Sequence, residues 1–184
     1  KEGSAELPTI KLALEQAGMA AKAAGVSFVE TNAAIQVLDK AGKKGSEGGV
    51  ALRNVMTTLA RGRFLPKYIQ KELQAAGVDM NKLTDKTLSL TDRLRLIQPI
   101  LNDTALLSKL FGRENMNAAL ALVQGIDEVD RYAEAIEAQT PPLNRPKLSW
   151  KAITKSGREY RPHLTISAFP FLTQRAISGF GLRL

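Results

Sequence analysis

Apolar residues along the first 139 positions recur at helical spacing, and glycines, prolines and capping residues interrupt them every ten to twenty positions. The first helix follows Pro8-Thr9 and places Ile10, Leu14, Ala17, Ala21 and Ala24 on one face, ending near Gly25. Ser27-Phe28-Val29-Glu30 has the spacing of a capping box, in which serine and glutamate satisfy each other's exposed amides. The helix it opens carries Ala34, Ile35, Leu38 and Ala41 on one stripe, and Gly42-Lys43-Lys44-Gly45 ends it. Ser46-Glu47 starts a third helix with Leu52, Val55, Met56 and Leu59 inward. Pro66 suits the first turn of a fourth, which buries Ile69 and Leu73 and closes at Gly77.

Residues 78–90 read as a connecting loop. Thr91-Asp92 caps the next helix, with Leu94, Ile97 and Leu101 inward, and Pro99 must kink or break it because an interior proline costs about 3 kcal/mol. Asp103 caps Thr104–Phe111 and Gly112 stops that segment. Met116, Leu120 and Val123 mark one further helix, closed by Gly125, and Ile126, Val129, Ala133 and Ile136 mark the last. The fold expected is all-α: a bundle of six to eight short helices, drawn close by alanine-rich stripes, with a basic, largely irregular C-terminal extension.

Charge divides the chain. Residues 1–142 are nearly balanced, whereas residues 143–184 hold eight Lys and Arg against Glu159 alone, out of a net charge of +8. Five of the ten aromatics (Trp150, Tyr160, Phe169, Phe171 and Phe180) also fall in that last stretch. The organisation expected is therefore a helical domain over 1–139, a proline-rich linker at 140–146 and a basic, aromatic extension over 147–184. Within the extension, Leu148–Thr154 and Arg158–Ile166 flank Ser156-Gly157 as a hairpin would. Lys1 in place of an initiating methionine reads as a processed or excised piece. No apolar run is long enough for a transmembrane helix, and the amino end does not resemble a signal peptide.

Little chemistry is assembled. With no cysteine, disulfides, thiolate metal sites and cysteine nucleophiles are excluded. Gly42-Lys43-Lys44-Gly45-Ser46 lacks the glycine spacing and the preceding strand of a P-loop, so it reads as an interhelical turn. His163 is the only histidine and follows Pro162, as an exposed loop residue would; a metal site using two histidines of one chain is ruled out. Asp127, Glu128 and Asp130 fan around a helix start, where the helix dipole accounts for them better than catalysis. No active site, cofactor site or metal site is expected. One stretch suits a ligand: Lys147, Lys151, Lys155, Arg158 and Arg161 can neutralise phosphates while Trp150 and Tyr160 stack bases. A solvated positive tail is the plainer reading of the same residues. The apolar 164–184 segment with Arg175 and Arg183 could instead lie on an anionic membrane, although its proline and glycines interrupt an amphipathic helix.

Several segments in order resemble the core region of phage tail tape-measure proteins. They begin with Ala24-Gly25-Val26-Ser27-Phe28-Val29-Glu30 and Asn32-Ala33-Ala34-Ile35-Gln36-Val37-Leu38, and continue through Ala41-Gly42 and Gly45-Ser46-Glu47-Gly48-Gly49-Val50-Ala51-Leu52-Arg53. Leu73 to Gly77-Val78, Leu106-Leu107-Ser108-Lys109-Leu110-Phe111-Gly112 and the alanine-rich Asn117–Gly125 follow. The resemblance spans roughly 10–139, and its family-motif positions are Gly25, Ser27, Gly45, Ser46, Gly49, Arg53, Phe111 and Gly112. Pro99 departs from it, and residues 143–184 match nothing in it.

What the resemblance implies is a structural protein of long-tailed phages or prophages. Some members carry a cell-wall hydrolase elsewhere in their length, and the lack of any convergent Glu, Asp, His and Cys set here speaks against one in this chain. Such a protein would lie as several copies in the tail lumen, set tail length during assembly in the host cytoplasm, and leave ahead of the DNA at infection. Its implied partners are other copies of itself, tail tube and tail tip proteins, and the host membrane during infection; DNA contact through the basic tail rests on the residues of that tail alone. At about 1.5 Å per helical residue this chain would reach only about 280 Å, so it would be a module of a longer ruler.

Overall fold

The computed structural model describes residues 5–138, which are predominantly helical. Among them are nine α-helices and no strand: α1 (Leu7–Ala24), α2 (Phe28–Lys40), α3 (Gly45–Arg61), α4 (Lys67–Ala75), α5 (Met80–Leu83), α6 (Leu90–Arg95), α7 (Thr104–Phe111), α8 (Arg113–Gln124) and α9 (Ile126–Ala138). Short 3-10 turns at Gly62–Phe64 and Gln98–Ile100 join α3 to α4 and α6 to α7. The linker at 140–146, the hairpin over 148–166 and His163 lie outside the described residues.

The helix ends follow local chemistry. Ser27 and Glu30 form both arms of the capping box at the start of α2. Asp103 accepts from the Leu106 amide at 2.9 Å and opens α7, and Pro66 immediately precedes α4. α1, α2 and α4 close alike, on Gly25, Gly42 and Gly77 with φ of +74°, +91° and +83°. In each, the residue after the glycine donates back five positions: Val26 to Ala21, Lys43 to Leu38 and Val78 to Leu73, at 2.8–2.9 Å. This pairing is the Schellman closure, which glycine adopts without steric cost. Pro99 sits in the second 3-10 turn, and α6 has already ended at Arg95, so the proline breaks the helix rather than bending it.

Two boundaries differ from those the sequence suggests. Residues 78–90 are not an open loop: Asp79 caps the single turn α5, and Val78, Met80, Leu83 and Leu90 are all buried. The cap of α6 is Ser89, which accepts from the Asp92 amide at 2.9 Å, rather than Thr91-Asp92. Starting at Leu90 lets Leu90 and Leu94 both face the core.

α2 is the central helix. It packs against α1 and α3 on one side and α8 and α9 on the other, and buries Thr31, Ala33, Ala34, Ile35, Val37, Leu38 and Asp39. Ala41, expected on its buried stripe, is exposed because the chain is already turning at Gly42. Its buried surround explains why a one-sided stripe describes it poorly. One continuous hydrophobic cluster runs from Ala13 to Tyr132, so α8 and α9 complete the core that α1–α7 begin. Ion pairs fasten α9 across the core edge: Lys40 to Glu128 at 2.5 Å and Arg95 to Asp130 at 2.6 Å. Glu128 and Asp130 therefore act through specific partners, in addition to any effect of Asp127 and Glu128 on the helix start.

Candidate functional site

α1 and α3 share the most extensive helix–helix contact among the described residues, and small residues permit it. Gly45 lies beside Thr9 and Leu12, and Gly49 lies against Ala13, so the two helices run side by side in the same sense. A Cβ on Gly49 would stand 2.3 Å from the Ala13 carbonyl oxygen and 2.7 Å from its Cα. Backbone thus meets backbone there, and only glycine fits. On α1 the fully buried positions are Ala13, Ala17, Gly18, Ala21 and Ala24, while the larger Ile10 and Leu14 sit partly buried at the margin. The interface is rotated from the expected stripe because bulky side chains have no room where α3 comes closest. Gly48 has a separate reason: its Cβ would stand 2.5 Å from the Lys43 carbonyl, where the incoming turn folds over the start of α3. Lys44, not Ser46, is the residue before that helix, and Ser46 is exposed in its first turn.

A second cluster joins the α1–α2 turn to the segment before α6. Ser27 Oγ accepts from the Glu30 amide at 3.1 Å and Glu30 Oε2 accepts from the Ser27 amide at 3.2 Å. The other carboxylate oxygen of Glu30 accepts from the Leu90 amide at 2.9 Å, sixty residues away in sequence. Gly25 is equally committed, since a Cβ there would stand 2.9 Å from the Lys86 carbonyl. Arg93, only 1% exposed, donates from Nη1 to the Ala24 carbonyl at 3.0 Å and from Nε to the Ser89 carbonyl at 3.3 Å. Its charge stands at the C-terminal end of α1, where unsatisfied carbonyls favour a cation. Burial lowers the Arg93 pKa, and the charges of Glu30 and Asp85 oppose that shift. Hydrogen bonding to Ser89 first, and then Arg95, holds Asp92 below the usual carboxylate range. Thr87 does the same for Asp85.

Phe111 and Gly112 lie at a third place, the α7–α8 turn. Phe111 is buried, its carbonyl accepts from Asn115 Nδ2 at 3.2 Å, and Gly112 has φ of +78°. Asn115 in turn accepts from Asn54 at 3.1 Å, which links α8 to α3. Beside this contact an open cleft of about 350 Å³ is lined by Lys43, Ser46, Glu47, Asn54, Glu114 and Asn115. Lys43 and Glu47 pair with each other there. Among the described residues no three of His, Cys, Asp and Glu gather as metal ligands would. No described helix is long and apolar enough to cross a membrane.

The motif positions thus fall at three separate junctions rather than in one pocket. Gly45, Ser46 and Gly49 belong to the start of α3, Gly25 and Ser27 to the α1–α2 turn, and Phe111 and Gly112 to the α7–α8 turn. Arg53 is half-buried on α3 and has no ion pair among the described residues. Lys147, Trp150, Lys151, Lys155, Arg158, Tyr160 and Arg161 lie outside the described residues. Sequence reasoning missed Arg93, although a signal was present. Arg93 sits between Leu90, Leu94 and Ile97 on an apolar helical face, where a charge must find a buried partner.

A family model described as phage-related minor tail protein matches residues 1–112, which is α1 to α7 complete. The chain belongs to the phage-related minor tail protein family. No curated protein and no solved structure matches it. Membership supports a structural role in a phage tail, and with it a virion-associated location. The contacts of Gly25, Gly48 and Gly49 and the Ser27–Glu30–Arg93 cluster fall within the part matched by the minor tail protein model. The match ends at Gly112, whereas α8 and α9 lie beyond it and still contribute Ala118, Leu122, Val129 and Tyr132 to the same core.

Proposed function

We propose that this minor tail protein is a module of a tape-measure protein, one that sets tail length during assembly and is released ahead of the DNA at infection. The observation that carries the reading is the placement of the ordered tape-measure-like segments. Each falls on a helix or helix end that holds the bundle together, within or next to the part matched by the family. The role is structural, without a catalytic step. The partners it calls for are further copies of the same chain, the tail tube that encloses it and the proteins of the tail tip.

Length is measured by residue count only if the module is drawn out. As one continuous helix the 134 described residues would span about 200 Å, whereas the longest helix of the bundle, α1 with 18 residues, spans only about 27 Å. Short helices draw most of their stability from tertiary packing, so opening the bundle and setting its helices end to end exchanges one set of apolar contacts for another. Pro66 and Pro99 remain as breaks that keep the span below that of a continuous helix. Tail length in a phage carrying an in-frame deletion of this module tests the reading: shorter tails support it, and tails of unchanged length sink it.

A second reading is favoured by the charge of residues 143–184: binding of nucleic acid through Lys147, Trp150, Lys151, Lys155, Arg158, Tyr160 and Arg161. It requires affinity that falls steeply with salt and is lost when residues 147–184 are removed.

A further inference from the structure

Between Glu47 and Glu72 the chain has no acidic residue, while it carries Arg53, Arg61, Arg63, Lys67 and Lys71. The last four are exposed around the corner where α3 passes through its 3-10 turn into α4, and none forms an ion pair among the described residues. The nearest carboxylate in sequence, Glu72, is taken by Lys109 at 2.8 Å. At the same corner stand the two most exposed aromatic side chains among the described residues, Phe64 at 74% and Tyr68 at 58%. Lys67 and Lys71 are one helical turn apart on α4, with Tyr68 beside them.

This corner is firmly built. Gln70 Nε2 donates to the carbonyls of Arg63 at 2.8 Å and Leu65 at 2.5 Å, which ties the turn to α4. Leu65 is buried directly after Phe64 and fixes the turn from below. Gly62 at its start is pressed on the α5 region, with a Cβ position 2.1 Å from the Thr84 methyl and 3.1 Å from the Met80 carbonyl. The guanidinium of Arg63 lies over one face of Phe64, 5.4 Å from the ring centroid. A turn held by these contacts therefore presents a large apolar ring to solvent among four uncompensated cations.

We propose that the 61–71 corner binds single-stranded nucleic acid without sequence preference. Arg61, Arg63, Lys67 and Lys71 neutralise consecutive phosphates, while an unpaired base stacks on the open face of Phe64 with Tyr68 alongside. Cations interleaved with exposed aromatics are what a single strand requires, because its phosphates take the charge and every base offers a π-face. An anionic bilayer fits less well. Phe64 and the small Pro66 are the wholly apolar exposed side chains at the corner, and Arg63 already occupies one face of Phe64. The residues proposed are other than those at 147–161, and the proposal is independent of the tail-length reading.

The test uses the full chain and a fluorescein-labelled oligothymidine of about 20 nucleotides, with anisotropy followed across a salt series. Phe64→Ala should weaken binding about tenfold. Changing Arg61, Arg63, Lys67 and Lys71 together to alanine should make the slope of log affinity against log salt shallower by about 3. All five side chains are exposed, so circular dichroism and thermal unfolding of the variants should match the parent. Unchanged affinity and slope in the folded variants would overturn the proposal and assign binding to another part of the chain, such as 147–161. Patch-dependent binding to phosphatidylglycerol vesicles without binding to the oligonucleotide would overturn it in favour of a lipid surface.

Discussion

Replacing Gly49 with alanine adds a single methyl group, and the structure predicts that this one group separates two helices. The new Cβ would stand 2.3, 2.7 and 2.9 Å from the Ala13 oxygen, Cα and carbonyl carbon. Ordinary contact begins near 3.4 Å, so relief requires α1 and α3 to part by about 1 Å. No rotamer change can absorb the clash, because the neighbours are backbone. A gap of that size forfeits a quarter to a half of each dispersion contact along the seam of Ala13, Ala17 and Ala21, and overpacking of this kind costs roughly 1–3 kcal/mol or more. Alanine's better helix propensity returns about 1 kcal/mol. With the clash at the severe end, the net loss should be about 2–3 kcal/mol, or roughly 5–10 °C in Tm for a chain of this size. Thermal unfolding followed at 222 nm measures it, with exposed Ser46→Ala as a control that should stay near the parent. A Gly49→Ala variant as stable as the parent would show that α1 and α3 are not packed as described. The double alanine variant at Gly48 and Gly49 should lose more, since its second methyl meets the Lys43 carbonyl at 2.5 Å.

Other consequences concern the Ser27–Glu30–Arg93 cluster and its charges. Ser27→Ala leaves the Glu30 amide without its cap and should cost about 1 kcal/mol in urea unfolding; no change in midpoint would deny the cap any energetic role. Arg93→Ala empties a buried volume and strips a partner from the Ala24 carbonyl, with an expected loss of about 3 kcal/mol. Arg93→Met keeps much of the volume without the buried charge and should lose measurably less; equal losses would mean that the charge, not the packing, is what matters. For pH, Asp85 and Asp92 have lowered folded pKa values, so their contribution is complete above the ordinary carboxylate range near 4 and fades as pH falls through the lowered values. Both are largely solvated, so the effect is small. Asp92→Asn should flatten the acid limb of Tm against pH below about 4, and an identical limb would contradict the assignment.

How much of this was legible in the sequence depended on range. Local chemistry was readable: the Ser27–Glu30 box, Pro66, Gly77, the Asp103 cap and the Gly112 stop all act within a few residues of themselves. Three positions near the start of α6 compete for the cap, and local rules do not choose between Ser89, Thr91 and Asp92. Burial of Leu90 decides it, and Leu90 is further held by Glu30. α5 escaped notice because four residues are too few to show a period. The α1 stripe was shifted for a non-local reason, the approach of Gly49 to Ala13. The motif residues themselves were visible, but their meaning was not. Gly25 matters because of Lys86, and Glu30 because of Leu90, and neither partner is near in sequence. The exposed corner at 61–71 does leave a sequence signal, an acid-free run containing five cations, but sequence alone does not show that Phe64 and Tyr68 face solvent rather than the core.

The ruler claim is tested most directly by a graded series in the phage itself. The gene containing this segment would carry in-frame deletions and a duplication of parts of residues 5–138, and tail lengths would be read by electron microscopy. The account predicts lengths that fall on one line against residue number, with a slope near 1.5 Å per residue, the rise of a drawn-out helix. Intact tails of constant length across the series would contradict it, and would leave the chain a tail protein that does not measure.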